Sequence, residues 1–586
     1  MGSFLKTFLA SFLALFIFFL LIIFFIIGWI GGIALSQKAE SAGSRAVLMI
    51  DLNQTFHERV QENPFANFRD EEYDVPGIYD IIRLIRYAKK DSAVKGIYLS
   101  CDGNPNGFAT SEEIRDALID FKKSGKFIYA YGDVIAQKAY YVASVADRIY
   151  CNPKGGVDWR GFASISPFLK QALQKLEIEP QIFYAGKFKS ATEPLREDKM
   201  TEANRLQTSE LLGDLYNRFM YKIAEARELD TGVLRKCVNE HLIRYADGAL
   251  RYRLVDGLKY DDEIRYEISS RLKIGRKENI NFVSISKYYD IVKWSSKKTG
   301  RDRIVLIYAE GDITGGNNSQ QEIGGDAYRN MIRKARMDKD VKAVVIRINS
   351  GGGDALVSEN LWREISITRK EKPVVLSFGD VAASGAYYLS CNADSIFAEP
   401  NTITGSIGVF SIIPNLQQFF KNKLGVTFDG VKTAPDADEL TITKPLTEMQ
   451  RRFVQDQVDS IYHDFKSRVA EGRKKPIEYI DSIGQGRVWS GERALQIGLV
   501  DRLGGVQDAI DCAARLAKTS DYRLKEYPEP KNFLDLLLGN YNRSIQLKLI
   551  KEDLGPDAFK AYDSIKKLKS MIGNVQARMP FELDIE

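Results

Sequence analysis

A serine at the start of a short apolar segment is the residue of this sequence best suited to nucleophilic chemistry. Ser384 lies between Ala383 and Gly385, after the strand-like segment PVVLSFGD and before the apolar segment AYYLS. A small–Ser–small turn between a strand and a helix exposes the hydroxyl and directs the free N–H groups of the helix toward whatever the serine attacks. A serine at a helix start is usually only an N-cap, so a second observation is needed.

A run of glycines is a candidate for stabilising negative charge. The glycine loop, Asn349-Ser350-Gly351-Gly352-Gly353, follows the strand-like segment AVVIRI. Consecutive glycines let a backbone approach a ligand closely and turn its N–H groups inward. Such donors suit an oxyanion hole, where they lie about 3 Å from the developing negative oxygen. The loop matches neither a dinucleotide-binding fingerprint nor a P-loop.

A nucleophilic serine needs a base, and histidine is scarce. The chain has three histidines, His57, His241 and His463, and none is near either motif in sequence. A Ser–Lys pair is then the economical hypothesis, because a desolvated lysine with a lowered pKa can accept the serine proton. The residues alone do not select one lysine among the many.

An internal repeat supplies the second observation on Ser384. The segment YGDVIAQKAYYVASVADRIY from Tyr131 matches FGDVAASGAYYLSCNADSIF from Phe378 at an offset of 378 − 131 = 247. At this offset Ser384 corresponds to Gln137, and the next residue is Lys138 instead of a glycine. The flanking GDV and AYY motifs survive in both copies. The divergence predicts one working site, in the second repeat, and one structural copy.

The elements that must position these residues alternate in type along each repeat. Strand-like apolar runs such as IVLIYAEG and AVVIRINS alternate with helix-like segments, and Thr447 to Lys475 has the apolar spacing of a long helix. Repeated β-α-β units predict an α/β fold with parallel strands and right-handed crossovers. We expect a first repeat at residues 45–293, a linker at 294–303, a second repeat at 304–527 and a basic helical tail at 528–586.

The amino-terminal region predicts a membrane anchor. Residues 1–6 form a short tail, and residues 7–37 contain no charged side chain. About 20 apolar residues span a bilayer, whereas the apolar region of a cleaved signal peptide has about 7–15. We therefore expect one uncleaved transmembrane helix, a short cytoplasmic tail and the bulk of the chain on the outer side of the membrane.

Composition excludes several other classes of protein. The 586 residues are 44% hydrophobic and 27% charged, which is ordinary for folded domains. The net charge of +5 gives no electrostatic support for nucleic-acid binding. The five cysteines show no CxxC spacing, which argues against a disulfide framework or a zinc site. We expect neither a metal nor an organic cofactor.

Four motifs together carry a resemblance to a known family. The segments GDVAASGAYYLSCNADSIFAEPNTITGSIGV, INSGGG, YAGKFKSATEP and GRVWSGERALQIGLVDRLGG resemble the signal peptide peptidase A (protease IV) family, in its long, duplicated bacterial form. The resemblance covers nearly all of the chain after the anchor. It implies two tandem domains with the β-α superhelix of the crotonases and the Clp protease subunit.

The resemblance also assigns roles. It implies that Ser384 is the nucleophile, that Lys189 of the first repeat is the general base, and that the N–H groups of Gly352 and Gly385 stabilise the oxyanion. Each repeat would then supply one catalytic residue. Two rival bases stay open: Lys432, which aligns with the Lys189 segment after a one-residue gap, and Lys187, two residues before Lys189.

The function expected from this resemblance is that of a membrane-anchored serine endopeptidase degrading cleaved signal peptides and other apolar peptides. Two alternatives are a crotonase-type acyl-thioester enzyme, which needs no serine nucleophile, and a non-catalytic membrane scaffold. A chain that divides one site between fused repeats suggests descent from a ring of unfused subunits. We therefore expect a homotetramer, with half the subunit number of such a ring.

Overall fold

The computed structural model describes residues 2–36, 41–61, 74–275, 279–293, 300–317, 322–438, 441–529 and 574–579. The strands up to residue 293 are β1 (Ala46–Asp51), β2 (Val94–Ser100), β3 (Phe127–Ile135), β4 (Arg148–Val157), β5 (Glu179–Ala185), β6 (Gly257–Leu258) and β7 (Phe282–Ser284). The helices of the same part are α1 (Gly2–Ser36), α2 (Ile78–Lys90), α3 (Phe108–Lys122), α4 (Gln137–Ala143), α5 (Lys170–Lys175), α6 (Glu193–Arg196), α7 (Glu202–Arg227), α8 (Thr231–Asn239), α9 (Ala246–Arg251), α10 (Asp261–Leu272) and α11 (Ile285–Lys293).

The later part of the chain again alternates strands and helices. Its strands are β8 (Asp302–Glu310), β9 (Asp312–Thr314), β10 (Glu322–Gly324), β11 (Val341–Ser350), β12 (Gly352–Asp354), β13 (Val374–Ala383), β14 (Ser395–Ala398), β15 (Ile403–Gly405), β16 (Val409–Asn415), β17 (Val488–Ser490), β18 (Arg502–Leu503), β19 (Tyr522–Tyr527) and β20 (Gln576–Arg578). Its helices are α12 (Gly325–Met337), α13 (Ala355–Arg369), α14 (Gly385–Ser390), α15 (Gln417–Leu424), α16 (Glu448–Arg473), α17 (Ile477–Ile483), α18 (Gly491–Gln496) and α19 (Val506–Leu516).

Each repeat is built on its own sheet, as the alternation of elements predicts. The strand order is β6-β4-β3-β2-β1-β7 in the first repeat and β17-β15-β13-β11-β8-β19 in the second, where β14 also joins β13 to β18. The central pairs of both sheets are parallel. Their strands are apolar on both faces, because helices cover a parallel sheet on each side.

The offset of 247 also holds in three dimensions. In the first repeat β3 pairs with β4 through Val134 and Gly156, and in the second β13 pairs with β15 through Val381 and Ile403. Both members of the second pair lie 247 residues after those of the first. The predicted duplication is therefore structural as well as sequential.

A third sheet joins the two repeats. Its order is β10-β9-β12-β20-β16-β5, so it combines β5 of the first repeat with strands of the second. The β5–β16 pair is antiparallel and runs from Ala185 opposite Val409 to Glu179 opposite Asn415. This pairing brings the end of β5 to the face of the second repeat that carries Ser384.

The predicted long helix of the second repeat is α16, which begins after the capping residue Thr447. The Thr447 hydroxyl accepts a hydrogen bond from the Gln450 N–H, and the Gln450 side chain accepts one from the Thr447 N–H. This reciprocal capping box satisfies two amide groups that a helix start leaves without partners.

The two ends of the chain meet the predictions only partly. Helix α1 covers residues 2–36, but several of its side chains lie outside the described set. Over the described residues, no helix meets the length and apolarity that crossing a bilayer requires. The anchor at residues 7–37 therefore stays a prediction.

The tail and the linker were predicted at residues 528–586 and 294–303. Most of the tail lies outside the described residues, and its described residues 576–578 form strand β20 instead of a helix. They are extended because they pair with β12 and β16. Linker residues 294–299 lie outside the described residues, and β8 begins at Asp302.

Candidate active site

Ser384 occupies the single-residue junction between β13 and α14. Its backbone has φ 56° and ψ −115°, a combination that side-chain-bearing residues rarely adopt. The Ser384 N–H donates to the Gly405 carbonyl at 2.8 Å, and the Ser384 carbonyl accepts from the Tyr388 N–H at 2.8 Å. These bonds hold the strained turn, and such strain concentrates at functional sites. The sharp turn between strand and helix is the one that the sequence predicted.

Lys189 reaches Ser384 from the first repeat. It follows β5, whose pairing with β16 delivers it to the second repeat. Lys189 Nζ lies 2.8 Å from Ser384 Oγ, 3.0 Å from Ser406 Oγ and 3.1 Å from the Ser406 carbonyl oxygen. Only 1% of Lys189 and none of Ser384 is exposed to solvent.

Burial lowers the pKa of Lys189, and this favours the neutral amine that can accept a proton. Desolvation penalises the charged ammonium and lowers the pKa of Lys189 well below its ordinary value. A neutral amine has two N–H donors and one lone pair. When both donors are used on the Ser406 carbonyl and hydroxyl oxygens, the lone pair is left to accept the proton of the Ser384 hydroxyl.

The backbone of Lys189 is held by a tight turn of the second repeat. The Phe188 N–H donates to the Gln485 carbonyl at 2.7 Å. Gly486 has φ 79°, and a Cβ added to it would lie 2.6 Å from the Lys189 nitrogen and 2.7 Å from its Cα. Only glycine permits this approach. The Gln207 side chain of α7 also donates a hydrogen bond to the Phe188 carbonyl at 3.0 Å, which fixes the residue before Lys189.

The two predicted oxyanion glycines lie against each other. A Cβ added to Gly352, whose φ is 102°, would lie 2.7 Å from the Gly385 nitrogen. The Gly352 N–H, however, donates to Ser350 Oγ at 3.1 Å, because this hydroxyl folds back over the glycine loop. Gly385 begins α14, where helix N–H groups have no intrahelical acceptor. In this state Gly385 is therefore better prepared to donate than Gly352.

Neither rival lysine reaches the site. Lys432 is exposed, and its Nζ lies 3.0 Å from Asp438 Oδ1 and donates to the Pro435 carbonyl. The hydrogen bond to Asp438 raises the pKa of Lys432, which is the opposite of what a base needs. Lys187 is also exposed, with its ammonium over the Phe188 ring.

Ser406 is the site residue that the sequence analysis missed. It has φ 52°, is fully buried and contacts Lys189 Nζ through both its hydroxyl and its carbonyl. The internal repeat offered a signal for Ser406. At the offset of 247 the first repeat has Trp159 at the equivalent position, so this residue, like Ser384, differs between the two repeats. In the first repeat, Gln137 stands at the position equivalent to Ser384. Its side chain accepts a hydrogen bond from the Gly161 N–H and donates one to the Gly161 carbonyl.

A serine hydroxyl at hydrogen-bond distance from a desolvated lysine amine, beside helix N–H groups, is the arrangement of a Ser–Lys hydrolase. Comparison with known proteins agrees with this class. The sequence pattern of Peptidase family S49 matches residues 120–274 and 366–520. The chain belongs to this family, contains two copies of its domain, and is a serine protease.

The relatives extend over most of the chain. Protease 4 of Salmonella typhi is 36% identical over 481 residues, which cover 80% of this chain and 77% of the relative. The chloroplastic serine protease SPPA of Arabidopsis thaliana is 32% identical over 470 residues, or 78% of this chain and 69% of the relative. A ClpP1 mutant of Listeria monocytogenes is similar at 14% identity with a TM-score of 0.24, covering 35% of this chain and 94% of that one. The predicted family is confirmed.

Proposed function

We propose that this serine protease is a membrane-anchored endopeptidase that degrades cleaved signal peptides and other apolar peptides, with Ser384 as nucleophile and Lys189 as general base. One observation carries the assignment of the pair: the 2.8 Å separation of Lys189 Nζ and Ser384 Oγ, both of which belong to buried side chains. Two groups so close need no rearrangement to exchange a proton.

The residues define a two-stage reaction. Ser384 Oγ attacks the scissile carbonyl carbon while Lys189 accepts the hydroxyl proton. The developing oxyanion faces the Gly385 N–H, and the Gly352 N–H joins it by leaving Ser350 Oγ. Lys189 then returns the proton to the leaving amine, and an acyl-enzyme remains. A water molecule then attacks the ester carbon while Lys189 accepts one of its protons. The bond between that carbon and Ser384 Oγ breaks, the peptide acid leaves, and Lys189 returns the proton to Ser384 Oγ.

The family and the chemistry of signal peptides support the proposed substrate class. One relative, from Enterococcus faecium, carries the description of a putative signal peptide peptidase SppA. The apolar part of a signal peptide offers backbone and aliphatic side chains, so we propose that substrates bind extended, by adding a strand beside the nucleophile turn. Hydrophilic peptides of equal length should be cut far more slowly, and equal rates would contradict this substrate class.

The anchor and its orientation belong to the same proposal. Residues 7–37 have no charge, and the large apolar side chains described on α1 are exposed, among them Phe8, Phe12 and Leu21. We propose that this helix crosses the inner membrane once, with the protease domains on its outer face. Protease protection of the chain in oriented membrane vesicles tests this directly.

Assembly is the last element. We propose a homotetramer, in which each fused chain takes the place of two subunits of an ancestral ring. The mass of the detergent-solubilised chain measures the subunit number. A fully active monomer would refute the tetramer and leave the catalytic pair untouched.

The catalytic assignment is tested with two variants and two controls. Ser384→Ala and Lys189→Ala should each lower kcat by several orders of magnitude, since loss of a nucleophile or its base typically costs about 10⁴–10⁶. Lys432→Ala and Lys187→Ala should keep most activity. An inactive Lys432 variant would move the base to the second repeat.

A serine-directed fluorophosphonate separates the remaining alternatives. It should label wild-type Ser384 and leave Ser384→Ala unlabelled. Turnover of acyl thioesters without labelling would indicate a crotonase-type enzyme. If the probe labels no serine and the protein cleaves no peptide, the result would indicate a non-catalytic scaffold.

A further inference from the structure

The segment GRVWSGER, residues 486–493, has no role in the catalytic assignment and lies against helix α7 of the first repeat. The residues of α7 that contact it are spaced three and four apart and so share one face of the helix: Gln207, Glu210 and Asp214. Arg487 forms an ion pair with Glu210, and Arg493 Nε lies 2.6 Å from Asp214 Oδ2. One face of a first-repeat helix therefore packs on the segment that contains β17.

Gln207 of this face also contacts the loop that carries Lys189. Its side-chain nitrogen donates to the Phe188 carbonyl at 3.0 Å and to Ser190 Oγ at 2.9 Å. Its side-chain oxygen accepts from the Val488 N–H at 3.4 Å, and Gln207 is buried. The residues on either side of the proposed base are thus connected to α7 and, through it, to the second repeat.

The Arg487 side chain packs on two aromatic rings. Its guanidinium carbon lies 5.1 Å from the centre of the Phe188 ring and 4.3 Å from the centre of the Trp489 ring. Cation–π contacts act within about 6 Å, and a planar guanidinium stacks on a ring while its N–H groups pair with a carboxylate. The Arg487 carbonyl also accepts the Ser406 N–H at 2.7 Å. Arg487 therefore contacts both the residue before Lys189 and the residue that contacts its amine.

We propose that Arg487 is a positioning residue, which holds the Lys189 amine beside Ser384 Oγ by packing its guanidinium on Phe188. Glu210 fixes the guanidinium in that place through the ion pair. The inference rests on the proposed function, because the position of an amine matters to catalysis only if that amine is the base. Arg487 acts through Phe188 and takes no part in the proton transfer itself.

Loss of this packing should change two properties of the base. Lys189 Nζ would spend less time 2.8 Å from Ser384 Oγ, so kcat should fall. Water would also reach the amine. Since burial lowers the pKa of Lys189, that pKa should then rise toward its ordinary value, and the acid limb of the kcat/KM profile should move to higher pH. KM should change little, because Arg487 acts on the base and not on the peptide.

Arg487→Met in the full-length chain is the first test. Methionine keeps an unbranched apolar side chain and removes both the charge and the planar group. kcat should fall about 10- to 100-fold, in line with an ångström-scale displacement of a catalytic group, with the acid limb at higher pH. Arg271→Met is the matched control. Arg271 of α10 also packs on two rings, 5.0 Å from that of Phe127 and 5.7 Å from that of Tyr129, and its loss should change neither kcat nor the pH profile.

Glu210→Gln is the second test, and it removes one charge and almost no volume. It carries the test alone if Arg487→Met does not fold. It should lower kcat less than Arg487→Met does and move the acid limb in the same direction. The double variant should be little worse than Arg487→Met, because the two residues act through one contact.

Three results would each overturn the inference: an unchanged kcat in Arg487→Met, a lower kcat with an unmoved acid limb, or losses that multiply in the double variant. With any of them, fluorophosphonate labelling of Ser384 in the wild-type chain would leave the proposed function standing. Absence of labelling in the wild-type chain would instead refute the proposed function.

Discussion

At the scale of single residues, the site is organised around one amine. Lys189 Nζ has three oxygen neighbours within 3.1 Å, and two of them belong to Ser406. The positive φ of Ser406 lets one residue present both its carbonyl and its hydroxyl to the amine. Ser406 therefore orients the lone pair of Lys189 toward Ser384 and acts as a positioning residue.

Ser406→Ala tests that orientation. Removal of one acceptor lets the amine rotate away from Ser384 Oγ. kcat should therefore fall about 10- to 100-fold, which does not exceed the lower end of the about 10²–10⁴-fold that a general base contributes. KM should change little, and the acid limb of the pH profile should move. Ser395→Ala, at a buried serine of β14, controls for loss of a buried hydroxyl. An unchanged kcat for Ser406→Ala would contradict the positioning role.

The lowered pKa of Lys189 predicts the pH dependence of activity. Proton acceptance needs the neutral amine, which predominates above the lowered pKa and disappears below it. kcat/KM should therefore decline as pH falls through that pKa, tenfold per pH unit on the acid side. Lys189→Arg, whose guanidinium stays protonated, should be inactive over the whole profile. A pH-independent rate would show that Lys189 is not the base.

The same shift links pH to stability. The amine of the unfolded chain has a pKa of about 10.4, above that of the folded chain. Between the two values the unfolded chain binds more protons, so this group makes the folded state more stable as pH rises through that window.

At the scale of elements, the turn before β17 determines where Lys189 lies. Gly486 packs against the Lys189 backbone, and the preceding Gln485 carbonyl accepts from the Phe188 N–H at 2.7 Å. Ser406 donates its N–H to the Arg487 carbonyl of the same turn at 2.7 Å. One turn thus holds both the proposed base and Ser406, which contacts its amine. Its closest contact depends on the missing side chain of Gly486.

Gly486→Ala should displace Lys189 from Ser384. The added Cβ would meet Lys189 backbone atoms at 2.6–2.7 Å, and backbone cannot move aside as a flexible side chain can. Activity should fall at least about 100-fold, in line with an ångström-scale displacement of a catalytic group. Gly425→Ala is the matched control, since Gly425 has a similar φ of 68° with no atom within 4 Å. If both variants lost the same activity, the cause would be backbone strain at a positive φ and not displacement of Lys189.

The sequence predicted the elements well because their signals are local. Apolar runs and the 247-residue offset were sufficient for the duplicated α/β architecture and the turn of Ser384. Lys189 came from the family resemblance alone, since the β5–β16 pairing that brings it to Ser384 joins residues more than 220 apart. The strand at residues 576–578 was missed because its conformation comes from pairing with distant strands, which overrides local propensity.

At the scale of the whole molecule, a buried ion cluster joins the two repeats. Arg347 of β11 is fully buried and pairs with Glu58 and Glu113, both from the first repeat. It also donates to Ser377 Oγ and the Phe378 carbonyl at 3.0 Å. A guanidinium with all these partners satisfied holds the repeats in one relative position.

Arg347→Met should destabilise the chain by about 3–5 kcal/mol, because it leaves two buried carboxylates without their cation. Denaturant unfolding of the variant and the wild-type chain measures this change. Lys334→Met is the control, since the Lys334–Glu529 pair is largely exposed and such pairs contribute about 0–1 kcal/mol. A cost for Arg347→Met no larger than that of the control would show that the cluster does not hold the repeats together.

The pairing of β5 with β16 also determines when, during synthesis, Lys189 can reach Ser384. A chain is synthesised from its amino terminus, so Lys189, the proposed base, is made 195 residues before Ser384, the proposed nucleophile. Until β16 has emerged and paired with β5, a growing or prematurely ended chain holds a lysine without a serine to activate. On the proposed assignment of Lys189 and Ser384, only a chain long enough to pair β5 with β16 should cleave other proteins.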